Sequence, residues 1–328
     1  MKTLVFDLAI LASGPVTGVA RAFLTTLQAY RAASSERLLA LVPPGQDAAE
    51  VAGYERVTAC CTGLARQTVL PGLLRRLRAD LYHAPVAAIP LHAPCPVIAT
   101  VHDLPWRSPV PLREPGCGWR ARLAVTLALR RAARVLVPSV ATAHDLGASP
   151  RVRLVPHGVV LPAEPAPEAA LTGPFLVLGA GRPRKNLDRV QAAHKMASVM
   201  RPGLPALRIC GHGAEYVSES TKWTLLRAAR GLVHCPLFEG FGLPPLEAMA
   251  HGVPVLAGNR ASLPEVVGGA ALCVDPLDLT AIAQGLVRLD ADAALRTTLR
   301  ARGLARAQEF RPERSAAAWS TVHRELLG

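Results

Sequence analysis

Short apolar segments alternate with helical segments twice along this chain, and this alternation is the feature that most limits its fold. In the first half the predicted strands include Leu4–Ile10 and Val97–Val101, and in the second half Phe175–Leu178 and Gly231–His234. The remaining predicted strands are Arg37–Val42, Leu81–His83, Val135–Pro138, Ala206–Cys210 and Val253–Ala257. Continuous apolar strands that alternate with helices are typical of parallel sheets covered on both faces. The sequence therefore predicts an α/β protein with two Rossmann-like, doubly wound parallel-sheet domains.

A proline-rich stretch separates the two runs. Residues 156–174 read PHGVVLPAEPAPEAALTGP, a composition typical of an interdomain linker. We therefore predict an N-terminal domain at 1–158, a linker at 159–174 and a C-terminal domain at 175–306. A final amphipathic helix within 307–328 is expected to pack back on the N-terminal domain. Because ligands of such sheets bind at the carboxyl ends of strands, we expect a site in the cleft between the domains.

The most informative motif is the stretch EGFGLPPLE, which runs from Glu239 to Glu247. A glycine-rich turn precedes a helix whose first turn contains proline. Backbone N–H groups at such a helix start can hold an anion or sugar hydroxyls. The two carboxylates would then address different parts of one elongated ligand. The alternative is an ordinary helix cap followed by a surface glutamate. The residues of this motif that we expect to contact a ligand are Glu239, Gly240, Phe241, Gly242, Leu243 and Glu247.

This motif resembles the signature of the retaining GT-B glycosyltransferases of family four (glycosyl transferases group 1), which include bacterial mannosyltransferases. The resemblance covers nearly the whole chain and is strongest from Phe175 to Asp275. It implies a GT-B fold and a nucleotide-diphosphate sugar as donor substrate, without a further cofactor. It also implies that Glu239 lies against the donor sugar and that Glu247 hydrogen-bonds the nucleotide ribose.

A second motif places Arg184 and Lys185 between a strand and a helix, after the glycine turn at 179–181. Basic side chains at a helix N-terminus can bind a diphosphate through both charge and helix dipole. A solvated helix start is the alternative. A dinucleotide site is disfavoured because Arg184 stands where its third glycine would be. The resemblance implies that Arg184 and Lys185 neutralise the leaving diphosphate. Ala180 departs from some family members, which carry arginine there.

Two weaker motifs lie in the first half. Gly18 follows the first strand, where a glycine lets a ligand approach the backbone closely. By resemblance it faces the diphosphate, although any first turn can carry a glycine. His102 and Asp103 stand at the end of a predicted strand. By resemblance His102 lies beside the donor sugar, whereas a lone histidine is more often structural.

Two further features bear on the chemistry. Asp290-Ala-Asp292 matches the Asp-x-Asp pattern of a metal-binding motif, but it lies in a predicted helix at Leu279–Leu304 with no strand before it. We therefore expect no metal site, in keeping with the family resemblance. The segment between the predicted strands Ala206–Cys210 and Gly231–His234 is shorter than is usual in the family. Since the base pocket normally lies near it, the resemblance does not transfer base specificity to this chain.

The charge of the chain predicts an anionic partner. The net charge is +13, and residues 1–163 contribute +9 of it, with 18 Lys and Arg against 9 Asp and Glu. Much of this excess lies in two basic runs, Arg75–Arg78 and Arg113–Arg134, the second interleaved with leucines. Such a helix can lie on an anionic membrane, or can simply present a solvated face. Aromatic residues make up 4% of the chain, so we expect no nucleic-acid partner.

The seven cysteines are odd in number and form no CxxC pair, which favours a reducing compartment. Asp7 interrupts the first apolar run, so we interpret that run as a strand and not as a signal peptide. We predict a cytoplasmic hexosyltransferase, peripheral on the inner membrane face, that transfers a sugar with retention to a lipid-linked or polysaccharide acceptor. GDP-mannose is the first choice of donor. The alternative is a catalytically degenerate GT-B subunit that scaffolds a membrane-associated glycan assembly.

Overall fold

A computed structural model describes residues 1–13, 17–46, 51–59, 62–112, 114, 117–211 and 217–328. Several features of the sequence lie outside the described residues: Cys60, Cys61, Arg113, the part 212–216 of the short segment, and the side chain of Ala180. The chain forms two compact units. The first comprises Met1–Leu104, Cys117–Gly158 and Pro312–Gly328, and the second comprises Pro105–Gly116 and Val159–Arg311.

The first unit contains a seven-stranded parallel sheet of order β3-β2-β1-β4-β5-β6-β7. Its strands are β1 (Thr3–Asp7), β2 (Arg37–Val42), β3 (Glu55–Thr58), β4 (Leu81–His83), β5 (Val97–Thr100), β6 (Arg134–Val137) and β7 (Val152–Leu154). Its helices are α1 (Gly18–Ala33), α2 (Ala65–Thr68), α3 (Leu70–Arg76), α4 (Trp119–Arg131), α5 (Val140–Leu146) and α12 (Pro312–Leu327). The fully buried strand β1 lies near the middle of the sheet, and α1 and α12 pack together over it.

The second unit contains a five-stranded parallel sheet of order β12-β11-β10-β8-β9. Its strands are β8 (Phe175–Ala180), β9 (Leu207–Gly211), β10 (Gly231–His234), β11 (Val255–Gly258) and β12 (Leu272–Val274). Its helices are α6 (Leu187–Met200), α7 (Glu219–Ala228), α8 (Leu243–Ala250), α9 (Leu263–Val267), α10 (Leu279–Ala291) and α11 (Ala293–Gln308). The strand order reverses between β8 and β10, so a crevice opens there at the carboxyl ends of the strands.

The prediction of two doubly wound parallel sheets is confirmed, but three strands were missed. All three, namely β3, β7 and β12, are the outermost strands of their sheets. Their residues are largely half-buried or exposed, and two of the strands carry arginine. An edge strand buries little apolar surface, so its sequence carries a weak hydrophobic signal. Their position at an edge is therefore visible only in the tertiary structure.

Two predicted elements differ in their bounds for identifiable reasons. The first predicted strand, Leu4–Ile10, ends at Asp7, because the Asp7 carboxylate accepts the Ala9 N–H at 2.8 Å and the chain turns into a 3₁₀ helix. The predicted helix Leu279–Leu304 is two helices, α10 and α11. They divide at Asp292, whose side chain accepts the Leu295 N–H at 2.9 Å and so caps the second helix.

The residues predicted as a linker, 159–174, belong to the second unit, and residues 105–116 belong to it as well. Val159 and Ala166 are buried there, and the Ala166 N–H donates to the His251 carbonyl at 3.0 Å. Proline and alanine composition thus marks the division of the chain at Gly158, but the residues after it belong to the second unit and do not form a separate linker. In the described part of the chain, no helix is long and apolar enough to span a membrane.

A buried chain of polar side chains joins α12 to the sheet of the first unit. His323 Nδ1 lies 2.9 Å from the Tyr30 hydroxyl, and His323 Nε2 lies 3.2 Å from His83 Nδ1. Trp319 packs edge-on against His83, with ring centroids 4.5 Å apart. Burial lowers the pKa of His323 to about 3, although Glu36 opposes this, and burial holds the pKa of His83 well below its usual value. Both imidazoles are therefore neutral in the folded protein.

Acid should destabilise the first unit through these histidines. Below about pH 6.5 a histidine in the unfolded chain binds a proton, whereas the buried histidine of the folded protein does not. The unfolding free energy that is present at neutral pH is therefore lost as the pH falls toward 3. Replacing His323→Gln removes one such group. Between pH 7 and pH 5 we expect the variant to lose about 2 kcal/mol less unfolding free energy than the wild type. Urea unfolding followed by tryptophan fluorescence measures this, and His144→Gln, at an exposed histidine, is the matched control. Equal pH dependence in all three proteins would contradict the prediction.

Candidate active site

The turn after β8 carries Arg184 and Lys185 in a fixed backbone conformation. Gly181 has φ 108°, a value that favours glycine, and a 3₁₀ turn follows at Pro183–Lys185. Asn186 ends this turn in a left-handed conformation and is buried. Its side-chain amide donates to the carbonyls of Cys235 at 3.0 Å and Pro276 at 2.7 Å. The two bonds tie the basic turn to the segments that follow β10 and β12.

The loop after β10 carries Glu239 and is held from a third segment. The Ser262 hydroxyl lies 2.8 Å from the Glu239 carbonyl and 2.9 Å from the Phe241 carbonyl. Gly242 has φ 112°, and a Cβ atom there would lie 2.7 Å from Leu263 Cδ2. Only glycine fits at this point. Helix α8 begins at the next residue, Leu243, and its first turn contains proline, as the EGFGLPPLE motif predicts.

Lys185 and Glu239 form a largely buried ion pair at the reversal of strand order in the second sheet. Lys185 Nζ lies 2.6 Å from Glu239 Oε2, and the two side chains are 13% and 12% exposed. His234 Nε2, at the end of β10, lies 3.5 Å from the same oxygen. Burial raises the pKa of Glu239, but Lys185, His234 and Arg184 outweigh it and hold the pKa well below its usual value. Glu239 is therefore a carboxylate that accepts hydrogen bonds and carries no proton to donate.

Arg184 is oriented by a residue that the sequence analysis missed. Its backbone N–H donates to Glu114 Oε1 at 2.8 Å, and its Nε lies 3.7 Å from Glu114 Oε2. The Glu114 side chain is fully buried, so the carboxylate needs this positive partner. Glu114 and Arg184 are 70 residues apart, and no local pattern in the sequence connects them.

Glu247 pairs with a second lysine that was not predicted. It lies in α8, where its Oε1 accepts from Lys222 Nζ of α7 at 2.7 Å. The same ammonium lies 3.1 Å from Glu219 Oε2 and 3.8 Å from the centre of the Trp223 ring. Lys222 is thus enclosed by two carboxylates and an aromatic face. His251 lies against Trp223, with ring centroids 4.9 Å apart, and burial with Arg227 and Lys222 nearby lowers its pKa to about 4.

His102 lies in the first unit, just after β5, and both of its ring nitrogens have partners. Its Nε2 lies 2.6 Å from the Pro85 carbonyl, which only accepts, so Nε2 carries the proton. Its Nδ1 then accepts from His157 Nε2 at 3.1 Å, and the two rings stack. Burial lowers the pKa of His102 and holds that of His157 well below its usual value, so the pair is neutral. His157 is thus the partner of His102, a relation that sequence spacing did not reveal.

Gly18 is the first residue of α1 in the first unit, directly after Thr17. The Thr17 hydroxyl caps the helix by accepting the Ala20 N–H at 3.3 Å. Arg184, Lys185, Glu239 and residues 240–243 come together in the second unit, whereas Gly18 and His102 belong to the first.

A cavity of about 650 Å³ lies against the same basic turn, lined by Gly181–Pro183, Asn186–Arg189, Leu237 and Leu279. Neither Glu239 nor Lys185 lines it, so the ion pair and not this cavity locates the candidate site. Within the described ranges, no group of three or more His, Cys, Asp or Glu side chains could hold a metal ion. Asp290 pairs with Arg201 and Arg230, and Asp292 caps α11.

Two family models match the chain. "Glycosyltransferase Family 4" matches residues 18–161, and "Glycosyl transferases group 1" matches residues 211–306. O-antigen chain mannosyltransferase B from Escherichia coli is 47% identical over 95 residues. That alignment covers 29% of this chain and 25% of the relative, so the matched stretch is only a quarter of the curated protein's length.

Solved structures share the whole fold at low identity. Sucrose-phosphate synthase from Thermosynechococcus elongatus has a TM-score of 0.75 and 19% identity, with 99% of each chain covered. Anabaena HepE, in complex with UDP and glucose, has a TM-score of 0.74 and 17% identity, with 99% of this chain and 100% of that chain covered. At these identities the likeness concerns the fold alone, and that fold is GT-B.

Removing one member of the buried ion pair should destabilise the second unit. Lys185→Met leaves Glu239 charged and buried without its main partner, which typically costs about 3 kcal/mol of unfolding free energy. The double variant Lys185→Met/Glu239→Gln removes both charges and should recover most of that loss. Urea unfolding of the wild type, both single variants and the double variant measures the coupling. Additive losses in the double variant would show that the two side chains do not interact.

Proposed function

Because the chain belongs to the GT-B glycosyltransferases of family four, we propose that it transfers a hexose from a nucleotide-diphosphate donor to a glycan acceptor with retention of configuration. The observation that carries this proposal is the buried pair of Lys185 and Glu239 at the strand reversal of the second sheet. A cation and an ionised carboxylate at one point suit the two ends of a breaking glycosyl–phosphate bond. Negative charge develops on the phosphate, and positive charge on the sugar.

Each residue of the site has a proposed role in that step. Lys185, Arg184 and the start of α8 at Leu243 stabilise the departing diphosphate through charge and backbone N–H groups. Glu239, held ionised, accepts hydrogen bonds from sugar hydroxyls and stabilises the positive charge of the sugar. The Glu247 carboxylate accepts a hydrogen bond from the nucleotide ribose. It also accepts from Lys222, so the carboxylate is shared between these two donors. Gly240, Phe241 and Gly242 position the donor through the loop backbone.

Retention follows when the acceptor hydroxyl attacks the face that the diphosphate leaves. The acceptor oxygen forms a bond to the anomeric carbon as the bond from that carbon to the phosphate oxygen breaks. The hydroxyl proton passes to the departing phosphate oxygen. In this proposal Glu239 is not a nucleophile, His102 lines the sugar as a neutral ring, and Gly18 faces the diphosphate. The basic side chains supply the positive charge at the phosphate, so the proposed reaction needs neither a metal ion nor a cofactor.

Mannose from GDP-mannose is the first choice of donor. The E. coli relative is a mannosyltransferase by name, which supports mannose as the sugar. The HepE structure holds UDP and glucose, so uridine donors belong in any donor panel. The acceptor is proposed to be a lipid-linked or growing polysaccharide intermediate, reached from the cytoplasm.

The surface of α4 supports a membrane-bound acceptor. Trp119 is 69% exposed and Leu123 is 47% exposed, and the Arg120 guanidinium lies 5.4 Å from the centre of the Trp119 ring. Arg130 and Arg131 are exposed in the last turn of the same helix. Exposed aromatic and leucine side chains beside arginines suit the interface of an anionic lipid leaflet.

A catalytically degenerate scaffold subunit remains the second candidate. The short segment at 211–230 and Ala180 favour it. The paired Lys185 and Glu239 argue against it, since a subunit without chemistry has no need of a buried cation beside an ionised carboxylate. Donor binding without hydrolysis or transfer, across a broad acceptor panel, would favour the scaffold.

Substitution of Glu239, alone or together with Lys185, should strongly reduce transfer without abolishing folding. Glu239→Gln removes the charge that stabilises the sugar cation, and we expect transfer to fall by at least about 100-fold. The double variant Lys185→Met/Glu239→Gln should fall at least as far. Transfer is measured from a panel of GDP- and UDP-sugars to lipid-linked acceptors, and Lys195→Gln, at an exposed lysine of α6, is the control. Turnover near the wild-type rate in folded Glu239→Gln would remove this residue from the mechanism.

Membrane binding should depend on the exposed basic residues of α4. Flotation with vesicles that contain anionic lipid measures it at low salt. Arg130→Glu should reduce the bound fraction about fivefold or more, since each basic residue near such a surface contributes about 1 kcal/mol. Lys195→Glu makes the same charge change in the second unit and should leave binding unchanged. If the wild type fails to float at low salt, the membrane part of the proposal is wrong.

A further inference from the structure

Three arginines line a second cavity in the second unit, away from the candidate active site. The cavity measures about 220 Å³, and its lining includes Arg230, Arg296 and Arg300. Arg230 directly precedes β10 and Pro254 directly precedes β11, so the cavity lies at the amino ends of these strands. The ion pair of the candidate active site lies at the opposite, carboxyl ends.

Each guanidinium uses only part of its hydrogen-bonding capacity. Arg300 Nη1 donates to the Gly252 carbonyl at 2.8 Å. Arg296 Nη1 donates to the carbonyls of Leu289 at 3.0 Å and Asp290 at 2.6 Å. Arg230 Nε lies 3.3 Å from Asp290 Oδ1 but makes no hydrogen bond with a described residue. A guanidinium has five N–H donors, so each of the three keeps donors for a ligand.

The side chains that line the cavity carry a net positive charge. Glu168 is the one carboxylate among the lining residues, and its Oε1 already accepts from the Thr297 hydroxyl at 2.6 Å. Asp290, nearby, is shared between Arg230 and Arg201. Three arginines that converge beside fewer carboxylates favour a bound anion, and planar guanidinium forks match the geometry of phosphate oxygens.

A purely structural role explains part of this arrangement. Arg296 binds carbonyls in the last turn of α10, and Arg300 binds the carbonyl just beyond α8, as basic residues near helix C-termini commonly do. That role uses one nitrogen of each side chain. Arg230 likewise has a structural partner in Asp290. These roles do not account for the convergence of three guanidinium groups on one concave site.

We propose that this cavity binds a small phosphorylated anion, at a site separate from the donor diphosphate. Its volume is below the roughly 300–1,000 Å³ of pockets that enclose drug-sized ligands, so the ligand is inorganic phosphate, pyrophosphate or a compact phosphorylated metabolite. The proposal goes beyond the transferase function, because the motifs that support transfer contribute no residue to this cavity.

A charge-inserting substitution tests the site with an isosteric control. Thr172 lines the cavity and is exposed, so a longer side chain fits there. Thr172→Glu places a carboxylate among the arginines and competes with the ligand, whereas Thr172→Gln has the same size without the charge. Isothermal titration with pyrophosphate at constant ionic strength measures binding. The background is the full chain carrying Lys185→Met/Glu239→Gln, which suppresses the diphosphate site.

We expect Thr172→Glu to weaken pyrophosphate binding about tenfold or more and Thr172→Gln to leave it within about threefold. Arg296→Gln should also weaken it about tenfold, and Arg302→Gln, at an exposed arginine of the same helix, should not. Equal affinity of the Glu and Gln variants at 172 would overturn the proposal. So would the lack of saturable binding up to about 10 mM pyrophosphate. Inorganic phosphate, titrated in the same way, shows whether one phosphate group suffices.

Discussion

The ion pair of Lys185 and Glu239 is the contact on which the arrangement of the second unit depends. The two residues follow different strands, β8 and β10, which are neighbours only because the strand order reverses between them. Taking either charge out of water alone is costly, so the two loops are stable in the geometry that brings the charges together. The same contact keeps Glu239 ionised despite its burial, which gives the site an acceptor and a cation at one point.

Hydrogen bonds and an ion pair from neighbouring side chains hold the backbone around Lys185 and Glu239 in place. Ser262 binds the carbonyls of Glu239 and Phe241, and Asn186 binds carbonyls that follow two other strands. Glu114, buried and acidic, anchors the Arg184 side of the turn. None of these residues needs to touch a substrate, yet each limits where a side chain of the site can lie. A preorganised set of charges of this kind is what electrostatic stabilisation of a transition state requires.

The many arginines of the chain have two different roles. Several arginines donate to main-chain carbonyls within their own unit and act as structural clamps. The clearest cases are Arg31 to Gly53, Arg151 to Leu129 and Ala132, Arg300 to Gly252, and Arg306 to Val266. Part of the net charge of +13 therefore reflects the planar, multi-donor geometry of guanidinium and not a partner. Exposed arginines such as those at the end of α4, and those that converge on a cavity, are the ones that bear on ligands.

The sequence by itself determined the fold class, the central strands and the glycine positions of the site. Apolar strands near the middle of a parallel sheet read as continuous hydrophobic runs, and Arg37–Val42, Leu81–His83 and Gly231–His234 have the predicted bounds. The sequence also predicted the glycine turn before α8, because Gly242 adopts a φ that favours glycine. The edge strands β3, β7 and β12 were missed, since they bury too little apolar surface to leave a pattern, whereas the edge strand β9 was predicted as Ala206–Cys210.

Only the tertiary structure decided which charges meet. Glu114 pairs with Arg184, Lys222 with Glu247 and His157 with His102, and these partners are 70, 25 and 55 residues apart. Sequence spacing predicts contacts along one helix or one strand, where geometry is periodic. Contacts between segments depend on strand order and on the need of each buried charge for a counter-charge, and both arise only when the whole unit is folded.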